Sequence, residues 1–171
     1  MKTHNGMRPH DVVVLLKVLL MENQPWQYRN LSFGLFISVS EIAESLNRSH
    51  IAGLVDETKR KVHRQSLMEF ITYGLHYVFP QQPGSMITGI ATAHSYSFYR
   101  QQFSSELEYV WPDEMGNLRG LSIQPLYANA VKAVRLDGEL YKLLAGIDII
   151  RVGRVRELKV AINELRKTIL L

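Results

Sequence analysis

Residues Trp26 to Val55, WQYRNLSFGLFISVSEIAESLNRSHIAGLV, constrain the fold of this chain more than any other stretch. They spell two short helices separated by a tight turn and followed by the start of a strand. Ser38-Val39-Ser40-Glu41 opens the second of these helices with the pattern of a capping box. In such a box the serine accepts from the amide three residues on, and the glutamate there reaches back to the serine amide. Behind it, Ile42, Leu46 and Leu54 recur on one side, with small residues at Ala43, Ala52 and Gly53. Ser40, Glu44, Asn47 and Arg48 are left on the outward side. A short capped helix with one buried and one small polar face, preceded by another helix, suits the major groove of double-stranded DNA.

The flanking segments extend this pattern. Pro9 to Met21 predicts a first helix: proline suits a first turn, Asp11 favours the positive end of the helix dipole, and the rest is apolar nearly all round. A helix apolar on every side is buried. Gln27 to Leu35 is the second helix and Val39 to Ala52 the third. Gly53-Leu54-Val55 then leaves the helix, residues 56–59 turn, and Arg60 to His63 return as a second strand. Three helices and a hairpin over 56–63, tipped by Lys59, Arg60 and Lys61, have the order of a winged helix. Gln65 to Tyr73 follows as a fourth helix, stopped at Gly74.

The second half holds an internal repeat. Residues 77–84 read YVFPQQPG and residues 109–116 read YVWPDEMG, each followed by a further glycine, Gly89 or Gly120. Two β-hairpins built on one pattern are expected. Asp137 then caps a helix through Ile150. In the final helix Val155, Leu158, Ile162, Leu165 and Ile169 are spaced 3, 4, 3, 4, a heptad seam of just over two heptads that predicts self-association.

Bulk chemistry excludes more than it assigns. A formal charge of +4 is compatible with nucleic acid, but it is shared evenly: residues 1–74 carry 9 basic and 7 acidic side chains, residues 75–171 carry 11 and 9. Any electrostatic footprint must therefore be a local cluster. The densest is Lys59, Arg60, Lys61 and Arg64 with His63. It meets phosphates in one reading and is a solvated tip in the other. No cysteine is present, which removes disulfides, thiolate zinc and cysteine nucleophiles. No phosphate-binding loop, nucleophile elbow or zinc-helix motif occurs, so neither an enzyme nor a cofactor is expected. Of the six histidines, His76 and His94 flank one expected hairpin without a third metal ligand. The apolar runs Val12–Leu16 and Val18–Met21 are split by Lys17 and too short to span a bilayer. A cytoplasmic protein without a membrane segment is the expectation.

Arg48 is the one basic side chain on the third helix, and a bidentate arginine to guanine is the commonest specific base contact. Its alternative is a surface arginine paired with Glu44 four residues earlier. Glu44 itself either accepts from a cytosine amino group or weakens DNA binding by repelling phosphate. Tyr28 and Arg29 open the second helix, whose amino end attracts phosphate.

With these residues in view, Trp26–Val55 resembles the helix-turn-helix of bacterial winged-helix regulators of the MarR-like and related types. Their pattern runs small residue, three residues, glycine, apolar, Ser-x-Ser-Glu-Val. Here it reads Ser32, Phe36, Ile37, Ser38-Val39-Ser40-Glu41-Ile42, and Ala52-Gly53-Leu54-Val55 matches the exit into the wing. Phe36 stands where the pattern has glycine, and a left-handed backbone there strains a bulky residue, so a turn that differs from the pattern is expected. Most of residues 8–166 is similar to bacterial proteins described only as uncharacterised or as transcriptional regulators.

The expectation is thus an α+β chain with a winged helix-turn-helix over 8–74 and two related hairpins plus C-terminal dimerisation helices over 75–171. Its expected function is that of a DNA-binding transcriptional regulator, a homodimer reading a palindromic operator. Helix 39–52 reads through Ser40, Glu44, Asn47 and Arg48, with Ser38 at its cap. Tyr28, Arg29 and the wing residues Lys59, Arg60 and Lys61 hold the backbone. The alternative is a winged-helix protein-interaction module, antitoxin-like or adaptor partner of a neighbouring gene product.

Overall fold

In a computed structural model of the protein, residues 5–171 are described. The first four helices follow the sequence pattern closely: α1 spans Pro9–Met21, α2 Tyr28–Leu35, α3 Val39–Ile51 and α4 Arg64–Tyr73. Short α5 (Leu75–Val78) follows, then strand β1 (Met86–Ala91), a 3-10 turn at Ala93–Ser95 and short α6 (Ser97–Arg100). Strands β2 (Tyr109–Pro112) and β3 (Leu118–Ser122) precede α7 (Ala130–Leu136), α8 (Gly138–Val152) and α9 (Val155–Ile169). The chain is α+β. No helix among the described residues is long and apolar enough to cross a membrane.

Helix α1 is the centre of the molecule, with Val12 to Leu16 and Val18 wholly buried. It packs against α2 and α3 on one side and α8 on the other. Its two charged side chains both find partners on distant elements. Lys17 reaches Asp137, the residue that caps α8 by accepting from the Leu140 amide. Asp11 meets Arg48 of α3. Residues on both sides of position 74 contribute to one hydrophobic core.

The expected pair of hairpins is not formed. Strand β1 runs antiparallel to both β2 and β3, pairing Ile90 with Trp111 and Ile87 with Gly120. Strands β2 and β3 are parallel, with Tyr109 opposite Leu121, so the three strands close on one another. Closure depends on glycine. A Cβ on Gly89 would lie 2.0 Å from the Trp111 carbonyl oxygen, and one on Gly116 would lie 2.1 Å from that of Gly89. The repeated glycines therefore mark close backbone approach rather than hairpin turns.

The two Tyr-Val-aromatic-Pro copies diverge. Tyr77 and Val78 continue helically from α4, with the Tyr77 amide bonded to the Gly74 carbonyl. Tyr109 to Trp111 are strand, and Trp111 is buried. A helix runs into the first copy and a waiting strand edge meets the second, so the surroundings decide between identical local patterns.

The heptad seam also packs differently from expectation. Ala161, Leu165 and Ile169 are buried within the chain, where α9 lies against α8 and α4. Only the start of the seam stays open, with Val155 68% exposed and Leu158 and Ile162 half-buried. A coiled coil along all of α9 is excluded because two of its five seam residues, Leu165 and Ile169, are already in the core.

Candidate nucleic-acid interface

Helices α2 and α3 are joined by a tight turn that passes through Phe36 in the left-handed conformation, φ 56° and ψ 40°. The turn keeps the geometry that glycine usually supplies, at a strain cost of about 1–3 kcal/mol. The segment leading into α7 holds it. Tyr127 donates its hydroxyl to the Leu35 carbonyl at 3.0 Å, and Asn129 donates its amide to the Phe36 carbonyl at 2.9 Å. The Lys132 ammonium lies 5.9 Å from the Phe36 ring centroid. The altered turn that a bulky residue at position 36 suggests is thus not formed; the left-handed one is kept with outside support.

The Ser38 hydroxyl caps α3 by accepting from the Glu41 amide at 3.2 Å. The other half of the expected box is missing, because the Glu41 carboxylate is taken by Arg48 at 2.6 Å and by His10 at 2.8 Å. Ser38, Ser40, Glu44 and Asn47 are exposed, as the pattern predicts.

Arg48 is not. It is 6% exposed and points inward. Its Nε donates to one Asp11 oxygen at 2.9 Å and its Nη2 to the other at 2.7 Å, a bidentate pair at the centre of the molecule. Its expected role as a base reader is therefore corrected. The helical repeat brings position 48 round toward α1, where the buried Asp11 carboxylate requires a cation. Nor is Glu44 its partner.

His10, Asp11 and Glu41 place ligand atoms within 4.8 Å of one another, the geometry of a small metal site. The Arg48 guanidinium lies within hydrogen-bond distance of all three. The cation that balances this cluster is thus a side chain. Burial raises the Glu41 pKa, but hydrogen bonds from Arg48 and His10 outweigh it and hold the carboxyl below its usual range. Glu41 therefore contributes stability that is complete above the unfolded glutamate pKa of about 4.3 and is lost as pH falls through the lower folded value. Urea denaturation should find Glu41→Gln less stable than the parent by about 1 kcal/mol at pH 7. The difference should shrink as pH falls from the unfolded glutamate pKa through the lower folded value; a gap that widened instead would contradict the assignment.

The 56–63 segment is a tied turn rather than a two-stranded hairpin. Val55 and Val62 make a single antiparallel bridge. Inside it the Asp56 carboxylate accepts from the Thr58 hydroxyl at 2.7 Å and from the amides of Arg60 and Lys61 at 2.9 and 3.0 Å. Burial raises the Asp56 pKa, and these donors together overcome it to hold the carboxyl low. Spending both extended strands on an Asp-centred turn is what shortens the ladder.

The basic cluster splits by function. Arg60 folds back: its guanidinium sits 4.3 Å from the Trp26 ring centroid and donates to the Trp26 carbonyl at 2.6 Å. Tyr28 stacks beside Trp26 under the same guanidinium. Arg64 pairs with Glu22 and reaches carbonyls at the end of α9. Both arginines brace the fold. Lys61 and Arg29 remain exposed, and Lys59, in the left-handed conformation with φ 59°, reaches the Asn47 side chain of α3 at 3.4 Å. The turn and the helix therefore form one continuous edge.

The histidines considered for metal have separate partners. His76 bonds the Arg151 carbonyl, whereas His94 is buried and pairs with Glu157 at 3.0 Å. Comparison with protein-family models, with curated proteins and with solved structures found no match for this chain.

Proposed function

We propose that this protein is a DNA-binding transcriptional regulator that reads a two-fold-symmetric site as a homodimer. The observation that carries the reading is the joined edge of α3 and the 56–63 turn. The helix presents Ser40, Glu44 and Asn47, and Lys59 from the turn touches Asn47. In a major groove Asn47 is the base reader, since asparagine pairs bidentately with adenine. Arg29, Lys59 and Lys61 supply the phosphate contacts, and the exposed amino end of α3 adds its dipole.

The test is fluorescence anisotropy with duplex DNA from upstream of the protein's own gene. Joint replacement of Arg29, Lys59 and Lys61 by alanine should weaken binding to all sequences. It should also flatten the slope of log K against log salt by roughly 0.9 for each phosphate contact removed. Asn47→Ala should cost about 1–3 kcal/mol on the preferred site and little on random DNA. An unaltered salt slope in the triple variant would sink the proposal.

A second reading, a protein-interaction module, is favoured by one observation. With Arg48 turned inward, the outer face of α3 carries Glu44 and no lysine or arginine. The same titration separates the two, because Glu44→Gln tightens binding only if that face meets phosphates.

A further inference from the structure

Helices α4 and α9 run antiparallel, with Arg64 at the start of α4 bonded to the Thr168 and Ile169 carbonyls that end α9. Between them lies a surface groove in two parts, about 460 Å³ and about 250 Å³, which share Thr72. The larger part is apolar, walled by Val155, Leu158 and Ile162 of α9, by Ile150 of α8 and by Tyr77. Tyr77 is 79% exposed and Tyr73, on the wall of the smaller part, 72%. This is the part of the heptad seam that the chain does not bury itself.

The charge on the groove says what fits it. Along α9 the residues Val155, Lys159, Ile162 and Arg166 recur at i, i+4, i+7 and i+11, an apolar and basic row on one face. Arg154 and Arg166 line the groove, and Arg156 and Lys159 are exposed on the same helix. Arg156, Lys159 and Arg166 have no ion-pair partner among the described residues. Of the nearby acids, Glu157 is engaged by His94 and by the Arg154 amide, which leaves Glu69, bonded only to the neutral Gln65 amide at 3.2 Å. Two copies meeting groove to groove would set these cations against one another with one carboxylate not ion-paired on each side, and like charges in a desolvated interface are costly. Nucleic acid would gain from the cations but would leave Val155, Leu158 and Ile162 without apolar cover.

We infer that the α4–α9 groove docks an amphipathic helix of another protein, with an apolar stripe flanked by glutamate or aspartate. The stripe fills the end of the groove around Leu158 and Ile162, at the i, i+3, i+4, i+7 spacing of helix-in-groove recognition. The flanking acids pair with Lys159 and Arg166. This surface is independent of the DNA reading and is tested without DNA.

Two fluorescein-labelled helical peptides of about 18 residues serve as probes, each with one leucine stripe and with either glutamate or lysine flanking it. Anisotropy with the full chain should show saturable binding of the glutamate peptide only. Lys159→Glu with Arg166→Glu, both exposed, should weaken that binding by at least about tenfold and admit the lysine peptide instead. Leu158→Asp should abolish both, with circular dichroism reporting whether that variant folds. No saturation with the glutamate peptide, equal binding of the two peptides, or an unaffected charge-reversed variant would each overturn the inference. So would sedimentation showing a dimer that the charge reversal strengthens, since that assigns the groove to a second copy.

Discussion

Replacing Arg48 by alanine is expected to destabilise the protein by about 3–5 kcal/mol, an effect far larger than any loss of DNA discrimination. The reason is the Asp11 carboxylate left behind. It is wholly buried on α1, and besides Arg48 it accepts from the Arg8 amide at 2.7 Å. That one bond does not balance a charge removed from water. Asp11→Ala should cost less, because the Glu41 carboxylate at 2.6 Å still pairs with the guanidinium. Removing both should cost clearly less than the sum of the single changes, because the pair then leaves no unpaired ion. Equilibrium urea unfolding of the four proteins closes the cycle. If Arg48→Ala unfolded at the parent's midpoint while losing sequence discrimination, the arginine would face DNA and the buried pair would be wrong.

Arg48 also shows where reading the sequence stops. Periodicity places a residue on a helix, and it located α1 to α4 to within a residue or two. It leaves open whether a polar position near the edge of a face turns outward or inward. That depends on what lies opposite, and here the deciding group is Asp11, 37 positions earlier. In isolation Asp11 reads as a first-turn acid, and it does accept from the Arg8 amide as one. Its second bond is long-range and has no local signature.

The same limit explains the strands. Gly89, Gly116 and Gly120 were legible as special positions, but glycine serves turns and close approaches equally. Only the pairing of β1 with both of its neighbours distinguishes them. The α2–α3 turn is a further case, where the local conflict at Phe36 argues for a different turn and the left-handed one forms nonetheless. Phe36 adopts the left-handed backbone despite its side chain, and the compensation comes from Tyr127 and Asn129 more than 90 residues on. The candidate site was half legible for the same reason. Exposure of Ser40, Glu44 and Asn47 follows from helix geometry, whereas the capture of Arg60 by Trp26 and of Arg64 by α9 follows from tertiary neighbours.

A second large loss of stability is expected from Asp148→Ala, again about 3–5 kcal/mol. Asp148 on α8 is the buried anchor of the second half of the chain. One of its oxygens accepts from the Thr92 hydroxyl at 2.7 Å and from the Trp111 indole at 2.6 Å, while the other accepts from Arg151 at 2.9 Å. Arg151 in turn donates to the Phe79 and Gln124 carbonyls at 3.2 and 2.9 Å. One carboxylate therefore fixes the exit of β1, the middle of β2 and two connecting segments against a single helix. Burial pushes its pKa above the usual aspartate range, outweighing the opposing pull of Arg151 and the other donors. That is the sign of a group held by its surroundings at an electrostatic cost, and alanine leaves those surroundings with three unmatched donors. Asp148→Asn should be milder, because the amide oxygen keeps one acceptor, yet still destabilising, because its NH2 faces donors. Tryptophan fluorescence during unfolding should report the loosening around Trp111, whose indole donates directly to Asp148. A variant as stable as the parent would mean that Arg151 and Trp111 are satisfied without Asp148, and that the three-stranded unit is held to α8 by apolar packing alone.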